Sequence, residues 1–334
     1  MGRSRASTSL AFKRSPLIPA LVSQIGKRLG LGPLLIRRMM SHVLSEETKR
    51  QAFQGYRPTE KDVFAAVFGK SGTNWMMQIA TQIAHHGKAE FDHIHDLVPW
   101  PDAPMPLPVQ LSDPVPGGES PTGLRVIKTH NDAAFVPYNE EATYLSILRD
   151  PKEVLVSGYY FIGGILDVLS HVDINTWVDI GLEERGGIAE GWAVHANSFW
   201  RWRDRPNVLV LSYPEIKRDP RGCIERVADC MQVQLSAAAF ERVLERSSFE
   251  YMRRHESRFA PPQPRFAREA DRPRMVRSGR TGASGEELSY DQQVAIDTLC
   301  MNTLNRLEST LPYKELFEVA RDSRSGPGTD AGTS

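Results

Sequence analysis

The sequence predicts an α/β fold: a single domain with a mostly parallel central sheet flanked by helices, carrying a P-loop-like phosphate-binding loop. Three observations lead there. Short apolar runs alternate with longer amphipathic ones, the pattern of strands joined by helical crossovers. At 334 residues the chain is long enough to bury a full core. The first run is followed at once by a glycine-containing, Lys-bearing loop and a helix-like stretch, in "VFGKSGTNWM" at 67–76.

In chain order, the pattern predicts a strand at 63–68 and a helix at 73–86, then strands at 124–128 and 143–148 and a helix at 151–161. A helix at 188–203, a strand at 208–212 and a helix at 221–231 follow. In parallel sheets ligands sit beyond the carboxyl ends of the strands, so the residues after Phe68, Lys128, Leu148 and Ser212 are the informative ones. Two stretches break the alternation, "VPWPDAPMPLPVQLSDPVPGG" at 98–118 and "RFAPPQPRFAREADRPRMVRSGRTG" at 258–282. Both read as long loops, of the kind that serve as lids or binding segments.

The 41 basic and 41 acidic side chains balance, so no overall field favours nucleic acid, and any anion site must be local. The balance hides an asymmetry: residues 1–50 carry a net charge of +8 and the remainder −8. That arm mixes Leu and Ile with Lys27, Arg28, Arg37 and Arg38, which interrupt any run long enough to span a bilayer. It can serve as a basic amphipathic segment lying on an anionic membrane or as a helix packed on the domain beside a solvated tail. The boundaries expected are a basic, partly helical arm at 1–50, a domain at 51–315 and a tail at 316–334 whose polar end is disordered. No secretory signal is recognisable, which predicts a cytoplasmic protein with the arm as its route to any peripheral membrane contact. Cys223, Cys230 and Cys300 lack metal-ligand spacing and read as buried thiols.

The loop at 69–73 ends as a Walker A motif ends, in Gly69-Lys70-Ser71. A Walker A turn also needs a glycine five residues earlier, and that position is Phe64, inside the strand. A shorter loop running into a helix suits a single phosphate group, with Lys70 adding a point charge. Ser71 and Thr73 offer hydroxyls, and Trp75 offers a face on which an adenine would stack for about 1–3 kcal/mol. Taken alone, the same residues also make a plain glycine turn with a helix cap and a core Trp.

The stretch "FGKSGTNW" resembles YPKSGTTW, the 5′-phosphosulfate loop of the cytosolic sulfotransferases, whose donor is 3′-phosphoadenosine 5′-phosphosulfate (PAPS). "LRDPKEVLVSGYYF" at 148–161 is similar to the family's RNPKDVAVSYYHF, and Arg149 follows Lys70 by 79 residues. "RVIKTHND" resembles IKTHLP, "VLVLSYPEIKRDP" resembles VLFLFYEDMKEDP, "SSFEYM" resembles TSFxxM, and "VRSGRTG" resembles part of RKGxxGDWK. The resemblance covers roughly residues 55–310. It implies that Lys70, Ser71, Gly72, Thr73, Asn74 and Trp75 hold the 5′ end of the donor, and that Arg149 and Ser157 take its 3′-phosphate. Trp75, Tyr213 and Phe249 would contact the adenine with Ser247 nearby, while Arg277, Ser278 and Gly279 complete the phosphate clamp. His130 would be the general base, with Lys70 and Lys128 as catalytic cations.

The acceptor would then lie on the far side of His130, against Trp100, Tyr160 and Phe161. That lining suits a small apolar alcohol or phenol. No metal is expected, because His85-His86 and His93-x-His95 lack accompanying ligands in suitable spacing. Two departures stand out. "GASGEEL" replaces the Asp-Trp-Lys that should follow the clamp, and the family's KxxxTVxxxE dimer motif is unrecognisable, which leaves the oligomeric state open. The competing functions are a P-loop small-molecule kinase and a non-catalytic nucleotide-binding protein at a membrane surface.

Overall fold

A computed structural model describes residues 30–105, 107–113, 120–165, 172–184, 186–260 and 284–320. Its elements are α1 (Gly32–Val43), α2 (Glu46–Ala52), β1 (Asp62–Ala66), α3 (Thr73–Ala84), β2 (Arg125–Thr129) and β3 (Thr143–Leu148). Next come α4 (Pro151–Ile165), α5 (Ile174–Gly181), α6 (Ile188–Trp200), β4 (Val208–Ser212), α7 (Tyr213–Arg218) and α8 (Pro220–Cys230). The last are α9 (Ala237–Arg246), α10 (Phe249–Arg254), α11 (Ser284–Glu287), α12 (Tyr290–Arg306) and α13 (Tyr313–Leu316).

Every residue of β1 and β3 is buried, so their sequences read as continuous apolar runs without polar alternation, as central parallel strands do. Among the described residues the strands form one parallel sheet in the order β2-β1-β3-β4. The chain steps from β1 to β2 on one side, then crosses back to β3 on the other. That reversal opens a crevice at the carboxyl ends of β1 and β3, where a doubly wound sheet binds its ligand.

Helices cover both faces. On one, α3 packs with α8 and α9, and ten of its twelve residues are buried. On the other, α4, α6 and α12 close around Leu155, Trp192, Ile296 and Cys300. Cys223 is buried and Cys230 half-buried, and both are free thiols, as is Cys300. Local chemistry sets the helix starts: Asp150 Oδ1 accepts from the Lys152 amide ahead of α4, and Asp219 accepts from the Gly222 amide to start α8.

The N-terminal helices pack on this body. Ile36 of α1 is 1% exposed within the α4–α6 cluster, and Arg37 Nε donates to Glu183 at 2.6 Å. On α2, Lys49 Nζ meets Asp132 at 2.9 Å and the Lys49 carbonyl accepts from Asn131 Nδ2. Among the described residues no helix is long and apolar enough to cross a membrane.

A buried charge cluster fixes α4 to α12. Lys152 Nζ lies 2.6 Å from Asp297 Oδ1, which also accepts from the Tyr313 hydroxyl at 2.6 Å, while Asp297 Oδ2 accepts from the Ala320 amide. Removing one partner of such a pair strands a buried charge. Asp297→Ala should therefore cost about 3–5 kcal/mol, read as a lowered urea midpoint at unchanged slope.

Candidate active site

The loop after β1 turns by an unusual backbone. Lys70 has φ +67° and Gly72 φ +108°, and a Cβ on Gly72 would meet Tyr213 Cδ2 at 3.2 Å and Ile147 Cδ1 at 3.3 Å. The turn exposes the first amides of α3, which receive no side-chain cap and have no acidic residue in the first turn. A helix start left this way is an anion-binding end. Phe64 is wholly buried within β1, stacked on Tyr144 at 4.9 Å, so the wide turn of a triphosphate loop cannot begin there.

Arg149, just after β3, donates from Nη1 to the Lys70 carbonyl at 2.8 Å and from Nη2 to Glu153 at 3.2 Å. Its guanidinium lies 4.6 Å from the Tyr213 ring centroid. Lys70 Nζ sits 3.8 Å from the centroid of Phe161. Burial, Arg149 and Lys128 together push Lys70 down to about 7. Ser71 Oγ, Thr73 Oγ1, Ser247 Oγ and Arg149 Nε are buried without a hydrogen-bond partner. Unsatisfied donors beside crowded cations demand an anion that accepts hydrogen bonds.

Beyond β2 stands the second group. His130 Nδ1 is 2.6 Å from the Val67 carbonyl. A carbonyl only accepts, so Nδ1 carries the proton and Nε2 keeps its lone pair. Burial, then Lys128 and further neighbours, hold His130 well below the ordinary imidazole range, so it is neutral at pH 7. Lys128 Nζ lies 3.3 Å from the Trp100 ring centroid, and burial pushes it down to about 7. Trp100 meets His130 edge-on at 5.2 Å and stacks on His95 at 5.6 Å.

These groups line one cavity of about 1060 Å³. Its lining includes Lys70, Gly72, Thr73, Asn74, Trp75, Arg149, Ser157, Tyr213, Ser247 and Phe249. Trp75 Nε1 donates to the Ser247 carbonyl at 2.8 Å and meets Tyr213 edge-on, and Asn74 Nδ2 donates to the Phe259 carbonyl. Ser71 lies behind the loop, fully buried. Trp100, Lys128, His130 and Phe161 line it as well. Arg277, Ser278 and Gly279 fall outside the described residues.

Tyr160 is corrected. It is 39% exposed and donates its hydroxyl to Glu287 at 2.6 Å. On α4 the residues lining the cavity are Glu153, Val154, Ser157, Gly158, Phe161 and Ile162; Tyr160 sits at the edge of that stripe and turns its hydroxyl to Glu287 instead. The sequence reading also missed several lining residues. Asp102 lies in the first Pro-rich stretch, already marked as a binding loop, and Glu153 stands one helical turn after Arg149. Met39, Met40, Val43 and Leu44 of the N-terminal helix pair complete the apolar wall, and their only signal was the amphipathic pattern of the arm.

An anion seated beside Lys70 raises its pKa, so binding takes up a proton above pH 7. Affinity for 3′-phosphoadenosine 5′-phosphate should fall as pH rises past about 7. Calorimetry at pH 8 in buffers of differing ionisation enthalpy should register net proton uptake.

A phosphate cradle at the sheet's switch point, facing a neutral imidazole and an apolar wall, defines an α/β enzyme that moves an anionic group. The chain belongs to the sulfotransferase domain family, which matches residues 60–308. It is similar to human (Homo sapiens) sulfotransferase 1C2, 26% identical over 247 residues that make up 70% of this chain and 79% of that one. Sulfotransferase 2A1 of Macaca fascicularis is 24% identical over 273 residues, covering 79% and 92% of the two chains. Among solved structures, retinol dehydratase with androsterone and inactive cofactor PAP shares the fold at a TM-score of 0.62 and 17% identity, covering 80% of this chain and 87% of that one. Mouse sulfotransferase SULT7A1 with PAP matches at 0.55 and 18% identity, over 79% and 91%.

Proposed function

We propose that this sulfotransferase moves a sulfuryl group from PAPS to the hydroxyl of an apolar alcohol or phenol, with His130 as the general base. The observation that carries the reading is the pairing of unsatisfied donors and cations around the 69–73 loop with an imidazole whose Nε2 is free. The donor fits the residues present: the loop amides, Thr73 and Lys70 would hold its 5′ end, and Arg149 with Ser157 its 3′-phosphate. Trp75, Tyr213 and Phe249 would bracket the adenine. When bound, PAPS supplies a sulfuryl group on a phosphate leaving group.

The protein's part is positioning, charge and proton transfer. His130 Nε2 accepts the proton of the acceptor hydroxyl as its oxygen attacks. Lys70 and Lys128 lie on either side and offset the negative charge that develops on the transferring oxygens. Phe161, Trp100 and the methionines of α1 exclude water and leave an apolar acceptor as the partner that loses least on entering.

His130→Ala should lower turnover by about 10²–10⁴ while leaving affinity for 3′-phosphoadenosine 5′-phosphate nearly unchanged. Labelled PAPS with a panel of steroids, phenols and sugars reads both the loss and the acceptor class. Undiminished turnover in the variant would remove His130 from its role. Product formed from ATP and Mg²⁺ but not from PAPS would establish the kinase instead.

A further inference from the structure

The segment 99–102 runs along the end of β2 and grips it at successive points. The Lys128 amide donates to the Pro99 carbonyl at 2.9 Å, and the Trp100 ring covers the Lys128 ammonium and the edge of His130. The His130 amide donates to Asp102 Oδ2 at 2.7 Å. The second carboxylate oxygen, Oδ1, is buried without a hydrogen-bond partner and belongs to a residue of the cavity wall. A carboxyl group thus stands where a neighbouring strand would have offered a carbonyl, with one oxygen on the His130 amide and the other unpartnered beside the cavity.

We propose that Asp102 is a positioning residue for sulfuryl transfer, bracing the His130 backbone and supplying the negative charge that keeps Lys128 protonated. The inference rests on the sulfotransferase reading and gives the Pro-rich loop a chemical task. A main-chain carbonyl would serve the brace equally well; only a carboxylate serves the charge. Burial pushes Lys128 down and Asp102 pushes it back up. Burial also pushes Asp102 up, against the His130 amide, further hydrogen bonds and Lys128. The other groups facing Lys128 are Lys70, His130 and His95. His130 is neutral, and His95, pushed to about 3 chiefly by burial, is neutral as well. Lys70 is a cation that opposes the protonation of Lys128.

The sign follows. Lys128 acts while protonated, so its contribution is present at low pH and lost as pH rises through about 7. Without the Asp102 charge the loss moves to lower pH. Asp102→Asn keeps an oxygen for the His130 amide and removes the charge, whereas Asp102→Ala removes both.

The experiment measures kcat and kcat/KM for PAPS against pH in the wild type, both variants, Lys128→Arg and Lys128→Arg/Asp102→Asn, with product-nucleotide affinity by calorimetry. In Asp102→Asn the basic limb of kcat/KM, which reports the free enzyme, should move to lower pH. Arg stays charged at all these pH values, so adding Asp102→Asn to Lys128→Arg should produce no further shift. Asp102→Ala should in addition lower kcat at every pH, by about 10²-fold if His130 is displaced by an ångström, with product-nucleotide affinity retained. An unshifted basic limb in Asp102→Asn, or an equal shift in the Lys128→Arg background, would overturn the charge role. If Asp102→Ala does not fold, the Asp102→Asn comparison decides. A wild type without sulfuryl transfer would defeat the underlying reading, a result distinct from an active wild type with unaltered variants.

Discussion

The active site depends on one hydrogen bond across the sheet's switch point, from Arg149 Nη1 to the carbonyl of Lys70. β1 and β3 are neighbours, so the loops leaving their carboxyl ends must share the crevice between them. Arg149 fills that space and fastens the Lys70 peptide in its left-handed turn, which aims the following amides at the start of α3. A non-glycine residue at positive φ costs free energy that the surroundings must offset. Here the surroundings are a guanidinium, the Tyr213 ring that backs it and the Glu153 carboxylate one helical turn along.

That arrangement brings Lys70 and Arg149 together in a low-dielectric crevice, with Lys128 close behind. Aromatic faces at Phe161, Tyr213 and Trp100 soften the cost, at roughly 0.5–2 kcal/mol each. Burial, with Arg149 and Lys128 adding repulsion, pushes Lys70 down to about 7, and burial pushes Lys128 down to about 7. Glu153 pairs with Arg149, but no carboxylate bonds Lys70 among the described residues, and a pocket with that cation left over favours an anionic occupant. The unsatisfied hydroxyls of Ser71, Thr73 and Ser247 make the same statement in hydrogen bonds.

Much of this was legible in the residues. Strands β1 to β4 and the helices after them follow from apolar runs bounded by Gly, Pro and Asp, because a parallel sheet leaves its strands no polar face to alternate. Phe64 excluded a triphosphate turn from sequence alone, and its burial within β1 gives the reason. The cavity brings together Lys70, His130 and Arg149, which local motifs had marked separately. Tyr160 was misplaced because a motif of consecutive aromatics does not say which one the helix turns inward; that needs the register of α4 against its neighbours. Asp102 and the Met39–Met40 wall come from segments without a periodic signal toward the sheet, and only the tertiary packing of Trp100 and Ile36 carries them to the site.

The cation field that favours a polyanion also controls the base. Burial first, and then Lys128 and Lys70 beside it, make an imidazolium at His130 unfavourable, so Nε2 remains free at neutral pH. The same field makes Nε2 a weak proton acceptor while no anionic ligand offsets those cations. Negative charge seated among those cations cancels the repulsion and raises the basicity of the imidazole. In the proposed reaction His130 would thus be strongest as a base with the anionic partner in place, the buried cations coupling occupancy by the donor to proton abstraction from the acceptor. No moving part is needed for this coupling: fixed charges a few ångströms apart in a medium of low dielectric constant are sufficient.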